Sequence, residues 1–307
     1  MKAVLFRRFG GPEVLEVADL PDPHPGPGQV RIAVRAAGVN PFDWKTRRGL
    51  MGGDLPQTLG QEAAGVVDEL GEGVTDVAVG DRVYGHAARS AGQAELAVLD
   101  SYAPIPAPLG FTEAAGLPTA VETATRTLDL LGVTGGTTLL VNGASGGVGS
   151  AAVQLAVARG ARVIGTASAA NHEYLRSLGA EPVGYGEGLV DRVRSLAPEG
   201  VDAALDVAGS GVLPELVDLA GGAGRVVTIA DYAGAREHGV RFSSGGDDRA
   251  LHALDAVGEL VAAGRFSLPV ARTFPLAEVA EAHRLSEQGH VRGKLVLLVD
   301  SAAETRR

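Results

Sequence analysis

The chain has 307 residues, 45% hydrophobic and 21% charged, and a net charge of −10. This is the composition of a globular protein long enough for two cores, and its acidity argues against nucleic acid or anionic membrane as a general partner. The absence of cysteine excludes disulfides, thiolate catalysis and cysteine-ligated zinc.

No apolar run reaches the roughly 18 residues of a membrane span, and Met1–Arg8 lacks the pattern of a signal peptide, so a cytoplasmic location is expected. Up to about residue 116 the sequence reads as short β segments: Lys2–Phe6, Gln29–Ala37, Ala64–Leu70, Arg82–Gly85 and Ala94–Val98. Turn signals separate them, among them the run Pro21–Gly28 and Gly71-Glu72-Gly73. Closely spaced strands of this kind predict a barrel or sandwich. From about Thr119 helical patterns alternate with apolar strands at Thr138–Asn142, Arg162–Thr166, Ala203–Val207 and Arg225–Ile229. That alternation predicts βαβ units and a parallel sheet. Helical patterns at Leu251–Ala263 and Leu276–Gln288 lead to a strand at Lys294–Val299, and the tail Ser301–Arg307 reads as disordered. No internal repeat is present.

The segment Leu139–Ser150 carries the clearest chemistry. An apolar strand ends in a glycine turn, and Val148, Ala152, Leu155 and Ala156 then fall on one face of a helix. Gly143, Gly146 and Gly149 give a tight turn, close approach of backbone to a pyrophosphate, and close packing of helix on strand. With Ala144, Ser145, Gly147 and Val148 they form the expected dinucleotide site at a helix N-terminus. The next strand runs from Ala161 to Ser168. An enzyme selecting NAD would place a carboxylate near its end, whereas here Thr166, Ala167 and Ser168 occupy that region and the first acid is Glu173. NADPH is therefore the expected cofactor. No Arg or Lys lies between Arg162 and Arg176, so His172, Tyr185 and more distant cations would assist at the 2′-phosphate. Ser168 also fits as an N-cap for a helix Asn171–Leu178.

Several motifs together resemble the medium-chain dehydrogenase/reductase superfamily, in its zinc-independent quinone oxidoreductase and enoyl reductase branch. They are Ala36–Lys45 (AAGVNPFDWK), Leu59–Gly65 (LGQEAAG), Val79–Gly85 (VGDRVYG), the glycine loop, and Gly289–Lys294 (GHVRGK). The resemblance implies an α/β protein with a GroES-like β-barrel catalytic domain over 1–118 and 252–307. A Rossmann doubly wound parallel-sheet domain over 119–251 would bind the cofactor. Zinc-dependent relatives carry a ligand Cys where this chain has Asn40 or its neighbours, and a ligand His where it has Gln61. Glu62 remains, but a catalytic zinc needs about three protein ligands, so no metal is expected.

Within this frame Asn40 is the first candidate to contact the substrate carbonyl or the nicotinamide ribose, although Asn before Pro41 is also a good turn residue. Lys45 could donate a proton with Asp43 orienting it, or the two could form a surface ion pair. Trp44 reads as core and Met51 as an adaptable apolar contact. Gln61 and Glu62 read as structural hydrogen-bonding groups. The resemblance places Thr123, Ile229, Ala230 and Phe242 near the nicotinamide, and Arg292 and Lys294 near cofactor phosphates, unless these two are ordinary surface charges. Glu122 is either particular to this chain's substrate or a solvated helix residue. The expected activity is NADPH-dependent hydride transfer to a quinone or a conjugated C=C, by a homodimer acting on a small molecule. A pathway-specific enoyl reductase of polyketide type and a non-catalytic NADPH-binding protein remain as alternatives.

Overall fold

Alternate residues of the strand Val30–Val39 are buried from Val30 through Ala36, and this strand organises the first half of the protein. In the computed structural model, which describes residues 1–246 and 249–299, it is flanked by antiparallel Glu62–Leu70 on one side and Lys294–Leu298 on the other. Arg82–Ala87 and Leu96–Pro104 continue the sheet, and Leu96–Pro104 pairs back onto Val30–Val39, closing a barrel. Register shifts near Arg31 and Val34 supply the curvature that closure needs. Val30, Ile32, Val34, Val67, Val83 and Leu99 fill the interior. A smaller antiparallel sheet, Leu15–Asp19, Lys2–Phe6 and Gln57–Thr58, completes the β-structure of this unit. The unit comprises Met1–Thr119, Leu254–Ala263 and the residues from Ser267 onward; the other comprises Ala120–Ala253 and Gly264–Phe266.

The second unit has one sheet of parallel strands. Their order is Glu181–Val183, Arg162–Thr166, Thr138–Asn142, Ala203–Asp206, Val226–Thr228, Arg241–Phe242. Strand order reverses at Thr138–Asn142, the position at which doubly wound sheets bind ligands beyond the strands' carboxyl ends. Leu140, Ile164, Ala204, Leu213, Leu216 and Val226 form its buried core with residues of the helices Leu189–Leu196 and Leu213–Ala220. Among the described residues no helix is long and apolar enough to cross a membrane.

Several boundaries shift, among them the helix read at Leu276–Gln288, which is Val279–Gln288 after a 3₁₀ turn at Leu276–Glu278. The strand read at Ala94–Val98 is Leu96–Pro104, because Ala94 makes only an isolated bridge to Ala3. The helix read at Asn171–Leu178 is His172–Ser177, preceded by a 3₁₀ turn. The tail Ser301–Arg307 lies outside the described residues.

The glycine turn is set by its backbone. Gly143 has φ +86°, a region L side chains rarely adopt. A Cβ on Gly149 would overlap the Gly143 carbonyl oxygen, whereas one on Gly146 would meet nothing closer than 3.7 Å. Gly149→Ala should therefore lower unfolding stability by about 2 kcal/mol. Gly146→Ser, at the helix N-cap with φ −75°, should stay within roughly 0.5 kcal/mol of the parent. Urea denaturation of the two variants checks the contrast, and equal losses would contradict it.

Candidate functional site

Four neighbouring strands of the parallel sheet each end in a polar side chain: Asn142, Thr166, Asp206 and Thr228. All four are buried and bonded in a row. Asp206 Oδ1 accepts from Asn142 Nδ2 at 2.9 Å and from the Ala208 and Gly209 N–H groups, and its Oδ2 accepts from the Thr228 hydroxyl at 2.7 Å. The Thr166 hydroxyl donates to Asn142 Oδ1 at 2.8 Å and accepts the Gly143 N–H at 3.0 Å. Thr228 Oγ1 accepts the Ala230 and Asp231 N–H groups. This row fastens both the glycine turn and the loop carrying Ile229 and Ala230. Thr166, expected beside the cofactor ribose, commits its hydroxyl to the turn instead.

The helix Gly147–Ala158 begins at Gly146 with no side-chain cap, so its first N–H groups have no internal partner. Missing Cβ atoms at 146 and 147 and a helix N-terminus suit a pyrophosphate. Ala144 is buried behind the turn, while Ser145 and Val148 are half-buried. Beside the turn, the Asn171 amide donates to Ser145 Oγ at 3.4 Å and Ser168 Oγ at 3.3 Å. Ser168 therefore does not cap a helix with its hydroxyl. His172 Nε2 lies 3.3 Å from the Ala167 carbonyl oxygen. Tyr185 is 53% exposed, on a loop whose carbonyls at 184–187 all accept from Arg192. Sequence reasoning passed over Asn171 and the polar row. Their signal was local: each apolar strand stops on Asn, Thr or Asp.

Thr123 and Glu122 belong to a buried network of the same unit. Glu122 accepts from Arg126 Nε at 2.8 Å, from the Ala250 N–H at 3.1 Å and from the Thr123 hydroxyl at 3.2 Å, and Arg126 also reaches Ser243 Oγ. Glu122 is thus not a solvated residue. Phe242 packs edge-to-face on Tyr232, with ring centroids 5.2 Å apart.

In the barrel unit, Asn40 precedes the short helix Pro41–Arg47 and is buried. Its backbone N–H donates to Asp43 Oδ2 at 2.7 Å, and its side-chain Nδ2 donates to Glu62 Oε1 at 2.8 Å. Lys294 Nζ donates to Asn40 Oδ1 and, at 2.7 Å, to Glu62 Oε1. Glu62 Oε2 accepts the Thr119 N–H at 2.7 Å. Burial opposes ionisation of Glu62, but the Lys294 ammonium and three hydrogen bonds outweigh it and hold the carboxyl below the ordinary range. Two expectations are corrected here. Lys294 does not reach toward cofactor phosphates; it turns inward to Glu62 and Asn40 and is 5% exposed. Asp43 does not orient Lys45, because residues two apart on a helix point to different faces. Its carboxylate takes the Asn40 and Gly60 N–H groups and Gln93 Nε2, while the Lys45 ammonium lies 5.7 Å from the Trp44 ring centroid. Arg292 is exposed. Among the described residues no group of three or more His, Asp or Glu gathers as a metal site.

A closed antiparallel barrel completed by the strand Lys294–Leu298, and a parallel sheet feeding a glycine turn into a helix, define a dinucleotide-dependent dehydrogenase architecture. The profile of the alcohol dehydrogenase GroES-like domain matches residues 26–125, and that of the zinc-binding dehydrogenase family matches 178–297. Pig quinone oxidoreductase is 31% identical over 324 residues, covering 97% of this chain and 98% of that protein. The chain therefore belongs to the medium-chain dehydrogenase/reductase superfamily, as a zinc-independent quinone oxidoreductase-like member. The polyketide synthase GfsB of Streptomyces halstedii is 37% identical over 296 residues, of which the chain spans only 5% of that protein's length. Among solved structures, the quinone oxidoreductase of Coxiella burnetii matches with TM-score 0.85 and 35% identity over 98% of this chain and 99% of that one. Escherichia coli quinone oxidoreductase complexed with NADPH gives TM-score 0.85 and 26% identity, covering 97% of this chain and 100% of that one.

Burial pushes the Asp43 carboxyl up to about 7, against the Asn40 and Gly60 N–H groups that favour its charge. Unfolded, the group loses its proton near 3.8. Between those values the folded chain holds a proton the unfolded chain has lost, so the Asp43 contribution to stability falls as pH rises from about 4 to 7. Asp43→Asn should remove this trend. The difference between parent and variant unfolding free energies should slope by up to ~1.4 kcal/mol per pH unit across the window. Parallel pH–stability curves would refute the assignment.

Proposed function

We propose that the protein is an NADPH-dependent reductase that passes hydride to a quinone or to the conjugated C=C of an enone, acting as a cytoplasmic homodimer. The observation that carries this reading is the end of the strand Arg162–Thr166. It runs into Ala167, Ser168 and the Asn171 amide with no carboxylate, so nothing there repels a 2′-phosphate. Glu173 points its charge to an exposed pair with Arg176. The NADPH complex of the Escherichia coli relative is consistent with this choice.

The N–H groups at 147–149, with the turn at Gly143, Ala144 and Gly146, would hold the pyrophosphate. Ser145, Ser168, Asn171, His172 and Tyr185 would surround the 2′-phosphate. Thr123, Ile229, Ala230 and Phe242 would border the nicotinamide. When bound, NADPH supplies a hydride from its nicotinamide ring. Asn40 keeps one amide N–H beyond the bond to Glu62, and that N–H would donate to the acceptor oxygen as negative charge grows on it. Lys45, half-buried beside Trp44, is the candidate donor of the final proton. The two-residue strand Arg241–Phe242 leaves an edge of the parallel sheet through which two copies would pair. A second reading, an enoyl reductase of polyketide biosynthesis, is favoured by the similarity to GfsB.

Fluorescence titration should give NADPH a Kd at least about tenfold below that of NADH, and Gly146→Val should abolish binding of both. Adding a quinone or a short-chain enone should then oxidise the NADPH. Equal affinity for the two nucleotides would overturn the cofactor assignment. Turnover only with an acyl thioester would select the biosynthetic reading. Asn40→Ala should lower kcat about a hundredfold with NADPH affinity unchanged.

A further inference from the structure

The side-chain amide of asparagine has two faces, one donating and one accepting, and a half-turn about its last bond exchanges them. Asn40 has no such freedom. Lys294 only donates and ionised Glu62 only accepts. The amide therefore presents Oδ1 to Lys294 and Nδ2 to Glu62. In the flipped arrangement the amide oxygen would face the Glu62 carboxylate and the NH2 would face the ammonium, two repulsive contacts in a buried setting. We infer that Lys294 and Glu62 are positioning residues that lock the Asn40 amide with a single N–H left for the acceptor oxygen, and that Lys294 strengthens that donor by drawing charge from the amide oxygen. The inference rests on the role proposed above for Asn40.

The surroundings are arranged for this bracket. A Cβ on Gly38 would overlap the Glu62 carboxylate, and one on Gly116 would lie 3.2 Å from Lys294 Cγ, so both glycines leave room for the charged side chains. The Thr119 N–H holds the second oxygen of Glu62. Asp43 fixes the backbone of Asn40 from the opposite direction. Asn40 is 6% exposed, Lys294 5% and Glu62 0%. Within the triad one of the two Asn40 amide N–H groups stays uncommitted, as does one of the three on Lys294, while ionised Glu62 has none to offer.

The test is a double-mutant cycle in steady-state kinetics with NADPH and a small quinone. Lys294→Met alone strands a buried carboxylate and is a poor probe. The pair Glu62→Gln with Lys294→Met removes both charges together, and its thermal melt confirms folding. The pair should lower kcat about tenfold with NADPH affinity unchanged. Adding Asn40→Ala to that background should cost far less than the same substitution in the parent, because the amide has already lost its fixed orientation. Two results would overturn the inference: a full Asn40→Ala effect in the charge-free background, or weakened NADPH binding by the pair, which would return Lys294 to the cofactor. If Asn40→Ala leaves the parent unchanged, the role of Asn40 itself fails, and the inference with it.

Discussion

Removing Glu62 and Lys294 from water is costly, and much of the barrel unit is organised to offset that cost. Desolvating a carboxylate and an ammonium opposes folding by several kcal/mol each unless their remaining lone pairs and protons are satisfied. Here an amide, a backbone N–H and two glycines without side chains meet those needs. The pair also joins residues 232 positions apart, tying the second long strand of the sheet to the last. Its geometry decides which way the Asn40 amide faces, so the electrostatics of the core also set the orientation of the group proposed to act on substrate.

The parallel-sheet unit follows the same logic with a single carboxylate and neutral partners. Asp206 is the hub, and the polar row it gathers holds two loops through their backbones. In both units the side chains that a motif would assign to a ligand commit their polar atoms inward. Thr166 holds the glycine turn, Lys294 holds Glu62 and Asn40, and Asp43 holds the backbone at 40 and 60. Prominent among the groups that the proposed reading leaves for ligands are the backbone N–H groups at a helix start and the Asn40 amide. Such donors are preorganised by their supports and need little rearrangement when charge develops.

Legibility in the sequence tracks how local each signal is. The glycine turn, its strand and its helix could be read because spacing within a dozen residues defines them. The strands that escaped reading, Leu15–Asp19, Gln57–Thr58, Glu181–Val183, Arg241–Phe242 and Val270–Pro275, all lie at sheet edges. An edge strand has one neighbour and partial exposure, so its residues need not alternate. Asn40 was recognisable from its motif, yet its partners were not. The burial of Lys294 depends on a strand pairing with Val30–Val39, which no local pattern announces. Asp43 and Lys45 looked like a pair because they are close in sequence, whereas helical geometry sets them apart.

The strand Lys294–Leu298 has a consequence for how the protein is made. A ribosome releases residues in order, and the barrel needs this strand beside Val30–Val39 before its sheet is complete. The parallel-sheet unit is encoded almost wholly within the interval Ala120–Ala253 and can close while the end of the chain is still being synthesised. Until then one flank of Val30–Val39 offers unpaired N–H and C=O groups, the kind of edge that recruits stray strands. The nascent barrel is thus most exposed to misassociation during the interval in which its inserted neighbour is already folded.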